Sequence, residues 1–305
     1  MNAIRQCTGC GAVVEFAGAS VSIRCGYCDA PMVDEVRATG RVDAVVPFRV
    51  PQRGALDRLR AYLDGKRWAP RELQQLRVDG RGLRGVLVPF WAYEGVVRSD
   101  YESKVGIHWT RTETYTDSEG KTQTRTVTET EWFELSGSAA RQVSDHLVSA
   151  SLGLPEIEAN EIEPFDLGWA QPFDARLLSG YEAELPSVAT PDADRVAATE
   201  LRDLEAARIT HTLLPGDQNR VTSIRSQVEI SARKLLLLPI WIATYHHGQG
   251  EKAIVLRLLV NGQTGEVVGD VPVSRWKIAM AVLAGLLVVG VIALIVWLSQ
   301  RGGQP

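Results

Sequence analysis

Threonine takes every second position from Thr110 to Thr116 and again from Thr122 to Thr130, with "DSEG" between the two runs. Period two interrupted by a turn containing glycine predicts a β-hairpin. Pairing Thr116 with Thr122 sets threonines on one face and Glu113 beside Arg125 on the other. Neither face reads as greasy, so the hairpin is expected to project into water or to line a polar contact. Elsewhere the period lengthens. "RGALDRLRAYLDGK" (53–66) places Leu56, Leu59, Tyr62 and Leu63 on one helical face, and 192–210 reads as a second helix with Leu201 and Leu204 backed by alanines. Three phrases share an apolar run, a proline and a bulky residue: "VVPFRV" (45–50), "VLVPFWAY" (86–93) and "LLLPIWIATY" (236–245). Proline lacks the ladder donor, which predicts strand starts, edge strands or bulges. The match of Pro89-Phe90-Trp91 to Pro239-Ile240-Trp241 suggests related strands in one sheet, and Trp91 and Trp241 are expected in packing more than in a ligand pocket.

One stretch has no period at all. Ile278 to Leu298 is 21 residues without a charge. At ~1.5 Å per residue it would span ~31 Å, so a transmembrane helix over 275–298 is expected. Trp276 and Trp297 stand where indoles favour headgroups, and Arg275, Lys277 and Arg301 flank the run. Ala281 and Gly285, four apart with Gly290 beyond, offer a small-residue seam as the slender case for a homodimer.

The cysteines change the picture most. All four, Cys7, Cys10, Cys25 and Cys28, fall in "CTGCGAVVEFAGASVSIRCGYC". Two C-x2-C pairs let four thiolates converge on one Zn²⁺, each pair forming a knuckle at a tight turn. "AVVEF" and "SVSIR" read as two strands joined by "AGA", the hairpin of a zinc ribbon. About thirty residues bury too little apolar surface to fold alone, so the metal is expected to supply stability. Disulfides are the rival reading; they need an oxidising compartment, and no secretion signal leads the chain. Zinc-loaded thiols also favour a cytosolic N-terminus. The expectation is therefore a single-pass protein of the cytoplasmic (inner) membrane with its N-terminus in the cytoplasm.

Charge narrows function only locally. The net charge of −4 argues against a globally basic nucleic-acid binder. Residues 49–84 hold ten Lys or Arg against four Asp or Glu, while 142–175 hold seven acids and no base. The basic block reads as a solvated face with phospholipid or nucleic acid as alternative contacts, and the acidic stretch as a covering segment. "GKT" at 120–122 is no phosphate loop, because position 115 is Tyr where the motif needs Gly. His246 and His247 are expected in a turn without metal partners. No catalytic or cofactor-binding constellation emerges.

Taken with "VVPFRV", "LDGKRWAP", "VLVPFWAYEG", "TETYTDSEGKTQTRT" and "RLLVNGQTGEVVGDVPVSRWKI", the "CTGCG…CGYC" knuckles make the chain resemble a bacterial family of TFIIB-type zinc-ribbon membrane proteins. Its members are often labelled primosomal protein N-prime (replication factor Y)-like. The resemblance implies an architecture and no established activity; neither the Walker lysine nor the acid pair of a helicase is present. The expected fold is α+β and β-rich: zinc ribbon 1–33, linker 34–44, a cytosolic region 45–274 with a suggested internal duplication, the transmembrane helix 275–298, and a short tail 299–305. The expected function is a membrane-tethered adaptor or scaffold that binds a cytosolic protein and is not an enzyme. The alternative is a membrane-held nucleic-acid binder using the ribbon and the 49–84 block, and third comes an enzyme with no recognisable motif.

Overall fold

A computed structural model describes residues 3–16, 18–28, 30–34, 41–66, 69, 82–116, 118–247 and 254–301. The chain forms two compact units. One comprises Met1–Val88, Leu154–Leu185 and Leu237–Pro305; the other comprises Pro89–Gly153 and Pro186–Leu236.

The first unit holds the N-terminal strands β1 (Ala3–Gln6), β2 (Val13–Phe16), β3 (Ser20–Arg24) and β4 (Pro31–Val33), then β5 (Ala44–Val45) and helix α1 (Gln52–Gly65). The start of β6 (Leu83–Thr116) also belongs to it. After the excursion into the second unit come helix α2 (Glu156–Ile162) and the short strands β8 (Gln171–Pro172) and β9 (Glu182–Glu184). The end of β10 (Gln218–His247), then β11 (Ile254–Asn261), β12 (Val267–Val268) and helix α4 (Arg275–Arg301), complete it. Seven of its strands lie in the order β12-β11-β10-β6-β9-β3-β4, β5 pairs with β10 and β8 off that path, and β1 and β2 form a separate two-stranded sheet.

Helix α1 forms where the 3.6-residue period predicts. Ala55, Leu59 and Leu63, four apart, are its buried stripe, packed on Leu83, Trp241, Ala243, Leu258 and Val260. Trp241 is core: its Nε1–H donates to the Val50 carbonyl at 2.9 Å. Phe48 stacks on Tyr181 with ring centroids 4.1 Å apart. Gly85 admits this packing, because a Cβ there would stand 2.7 Å from the Tyr181 ring. The acidic stretch includes α2, whose Glu158 pairs with Arg257 of β11 at 2.7 Å. Asn261 is fully buried and ties the segment down: its amide donates to the carbonyls of Ile162 and Pro164 at 2.8 and 3.0 Å.

The second unit is a three-stranded sheet, with β6 from Pro89 onward between β7 (Thr122–Ser149) and β10 up to Leu236. Helix α3 (Thr190–Arg208) belongs to this unit, followed by one π turn at Ile209–Leu213. From Pro89 to Thr116 the strand would extend ~90 Å at ~3.3 Å per residue, far beyond the usual three to ten residues. A set of apolar clusters explains how it stays folded. Tyr93 and Val148 pack with Ala193 and Ala197, then Val97 and Val143 with Leu201, then Val105 with Ile209 and Leu214. Leu204 is exposed, so α3 meets the sheet through its alanines and Leu201.

The expected hairpin register is present: Thr116 pairs with Thr122 and Glu113 with Arg125, and Thr110, Thr112 and Thr114 face Thr128, Thr126 and Thr124. The other face is less polar than the alternation implies, because Ile107, Trp109, Tyr115 and Phe133 are all exposed. Two cross-strand pairs set an aromatic ring beside a glycine, Tyr101 with Gly137 and Trp132 with Gly106. A bulge interrupts the ladder between Tyr93 and Gly95, where Asp145 adopts φ 58°.

Several expectations are corrected. Residues 275–301 do form one helix, but among the described residues no helix is long and apolar enough to cross a membrane. The transmembrane part of the expected fold class is thus overturned, and with it the single-pass inner-membrane location. Pro89 and Pro239 lie inside long strands rather than at strand starts or edges, each beside the place where its strand passes from one unit to the other. The backbone of His246 and His247 belongs to β10, paired with Val255 and Ile254, and not to a turn. Most of the linker (35–40) and part of the basic block (67, 68 and 70–81) lie outside the described residues.

Candidate metal centre

Each cysteine pair sits on its own hairpin. β1 pairs with β2 across the first knuckle and β3 with β4 across the second. The expected β2–β3 hairpin is therefore replaced by two hairpins side by side. The reason is local: the Cys7 N–H donates to the Ala12 carbonyl at 2.7 Å and the Cys25 N–H to Ala30 at 2.8 Å, so each C-x2-C turn closes its own strand pair. Gly11, at φ 75°, supplies the left-handed residue that lets the first turn return. Gly9 permits close approach, since a Cβ there would lie 3.2 Å from Ala30 Cβ and 3.4 Å from Cys28 Sγ.

The turns bring the four thiols together. Cys7 Sγ lies 3.7 Å from Cys28 Sγ, and Cys10 Sγ 3.7 Å from Cys25 Sγ. All four sulfurs fall within 4.8 Å of one another, the one such group among the described residues. A disulfide would need ~2.05 Å, and all four cysteines are free. Four sulfurs ~2.3 Å from a common tetrahedral centre stand ~3.8 Å apart, so the donor set fits a tetrahedral metal ion. The four residues named from spacing thus form one cluster able to bind a metal ion such as zinc.

Electrostatics follow from the same turns. Backbone N–H groups of Cys10 and Gly9 point at Cys7 and hold its thiol down to about 7. For Cys28 the Ala30 amide also favours the thiolate, but hydrogen bonding with Cys10, burial and the other sulfurs outweigh it and push the thiol up to about 12. Four thiolates this close repel one another strongly; a divalent cation would relieve the repulsion and displace the remaining protons.

Cys7 and Cys25 are buried with Phe16 and Met32, whereas Cys10 and Cys28 are exposed. The site is therefore at a surface, and Tyr27 beside it is 80% exposed. Sequence spacing gave no hint of what anchors the ribbon. β3 pairs with β9, and Ser22 Oγ donates to the carbonyls of Tyr181 and Leu178 at 2.6 and 3.1 Å. Asp34, fully buried, accepts from Arg5 at 2.8 Å. These contacts join residues far apart in the chain, and no local pattern announces them.

No family model matches the chain, and no solved structure matches it. It is similar to a protein of Bacillus subtilis (strain 168) named "Uncharacterized protein YdjG", at 26% identity over 240 residues covering 77% of this chain and 65% of the relative. The chain spans just under two thirds of that relative's length.

Proposed function

We propose that Cys7, Cys10, Cys25 and Cys28 hold one Zn²⁺ and that the chain is a zinc-ribbon adaptor, binding another protein rather than catalysing a reaction. The observation that carries this reading is the pair of 3.7 Å sulfur separations inside a cluster made of two glycine-bearing knuckles. Four thiolates leave no open coordination position, and a closed site is structural chemistry rather than catalytic. Bound zinc would fix the two knuckles against each other and so orient the exposed surface around Tyr27, Ile4 and Val13. Exposed apolar groups beside a rigid turn suit contact with a protein.

The metal half is tested by elemental analysis of the reduced, purified chain, expected to carry one zinc per molecule and to lose it in Cys25→Ser. Protein free of zinc after reconstitution under reducing conditions would overturn it. The adaptor half is tested with a photo-crosslinker at position 27. One discrete protein adduct, lost when Cys25→Ser removes the metal, is expected. Equal capture by the metal-free variant would remove the ribbon from that role. The chain should also hydrolyse no ATP, and turnover abolished by Lys121→Ala would refute the non-catalytic reading.

A further inference from the structure

The two strands of the distal hairpin outrun what covers them. α3 and its π turn cover one face of the sheet as far as Val105, which packs with Ile209 and Leu214. β10 starts at Gln218, and the His108 N–H, donating to the Asp217 carboxylate at 2.7 Å, marks the level of that start on β6. From there to the turn, among the described residues, β6 and β7 pair only with each other. A two-stranded hairpin is marginally stable in water unless one face is packed.

Its two faces are unlike. Thr110, Thr112, Thr114 and Thr116 face Thr128, Thr126, Thr124 and Thr122 on one side. The other side continues the face that α3 covers, because Ile107, Trp109 and Tyr115 follow Val105 at multiples of two and Phe133 pairs with Val105. These four large side chains are all exposed, so the apolar layer runs on past its cover. Between the rings the charges form one connected chain: Arg125 with Glu113 at 2.9 Å, Glu113 with Arg111 at 2.5 Å, and Arg111 with Glu129 at 2.6 Å.

The order along β6 is its own complement. On the exposed face it runs Trp109, Arg111, Glu113, Tyr115: aromatic, base, acid, aromatic. A reversed copy laid face to face about a two-fold axis at Thr112 sets Trp109 against Tyr115 and Arg111 against Glu113. Thr126 is the cross-strand partner of Thr112, so the same axis serves β7, where Arg125 meets Val127 and Gln123 meets Glu129. No like charges oppose each other. Sterics choose the same direction. Copies laid base on base would drive α3 into α3, whereas reversed copies hold their two Val105 positions about fourteen residues apart, ~46 Å at ~3.3 Å per residue.

We propose that this face is where two copies of the chain meet. The hairpins pack isologously and in opposite directions, as a small sandwich of two-stranded sheets, and two Arg111–Glu113 contacts join the charge chains of the two copies.

The test is charge exchange in the full-length chain, read by sedimentation velocity with circular dichroism as the control for folding. One variant carries Arg111→Glu and the other Glu113→Arg. Wild type is expected to pass from monomer to dimer as concentration rises. Each variant alone brings like charges together at both Arg111–Glu113 contacts and is expected to lose the dimer. Their equimolar mixture restores opposite signs at both contacts and is expected to recover it. A third variant, Trp109→Thr with Tyr115→Thr, keeps strand-forming residues while removing both rings, and should be folded and monomeric. Thr126→Lys, on the threonine face, should still dimerise. A wild type that stays monomeric at every concentration overturns the proposal and leaves the face to a different protein. A mixture that fails to recover while both variants are folded overturns it too. So does a dimer that survives loss of both rings, which would move the contact elsewhere, for example to the exposed apolar surface of α4.

Discussion

The N-terminal ribbon and the distal hairpin around residues 107–131 are both strand pairs too small for a core of their own, yet they are held in opposite ways. The ribbon gathers four buried residues, Cys7, Phe16, Cys25 and Met32, around thiols positioned for a metal. The distal hairpin has a threonine ladder on one face and the Arg111, Glu113, Arg125 and Glu129 ion pairs on the other. The difference lies in where the stabilising free energy sits. With a metal bound, the ribbon would concentrate it in a few sulfur–metal bonds; in the hairpin it is spread over many weak, replaceable contacts.

Metal loss should break the comparison most completely. A structural zinc site contributes ~10–16 kcal/mol in isolated ribbons, so Cys25→Ser should abolish zinc binding and make residues 1–34 sensitive to protease. The hairpin's amide exchange should not change. Next comes the buried ring beside the thiols. Phe16 is fully buried, and Phe16→Ala should cost ~3–5 kcal/mol of ribbon stability, read as a lower denaturant midpoint for zinc release.

Proton linkage gives a smaller, signed effect. Cys7 lies below its ordinary value of 9.0, at about 7, so its thiolate stabilises the metal-free fold above pH 9 and that contribution is lost as pH falls through 7. Zinc must then displace a proton from Cys7 at pH 6 but not at pH 8, whereas Cys28, at about 12, gives up its proton at either pH. Calorimetry in buffers of different ionisation heat should find ~0.8 more protons released per zinc at pH 6 than at pH 8, and apparent affinity should fall on acidification.

The smallest effect belongs to the hairpin. Glu113 is held below the usual carboxylate range, first by its hydrogen bond from Arg125 and then by the charges of Arg111 and Arg125. Its contribution is present above its ordinary 4.5 and fades as pH falls through the lowered value. Because the bridging arginines are exposed, Glu113→Gln should shift the urea midpoint only slightly, by less than any other change named here. A loss as large as that of Phe16→Ala would mean that the hairpin, too, depends on a few key atoms.

How legible each region was follows from the range of the forces that build it. The knuckles and the hairpin register could be read directly, because C-x2-C spacing and period-two alternation act over a few residues. Helix α1 was legible for the same reason. The long apolar run predicted a helix and found one at 275–301, but hydropathy alone extended that reading to a membrane span that the described residues do not support. The exposed Trp109 and Tyr115 were passed over because their face was judged by its charges.

By itself, then, the sequence determined the two C-x2-C knuckles, the two principal helices and the facing threonines, all set by neighbours a few positions apart. Tertiary structure alone decided that each knuckle closes its own hairpin, that β3 joins a sheet through β9, and that Pro89 and Pro239 stand inside long strands. Those outcomes depend on which backbone donors and acceptors meet across more than a hundred residues, and strand partners at that distance leave no periodic trace in the chain.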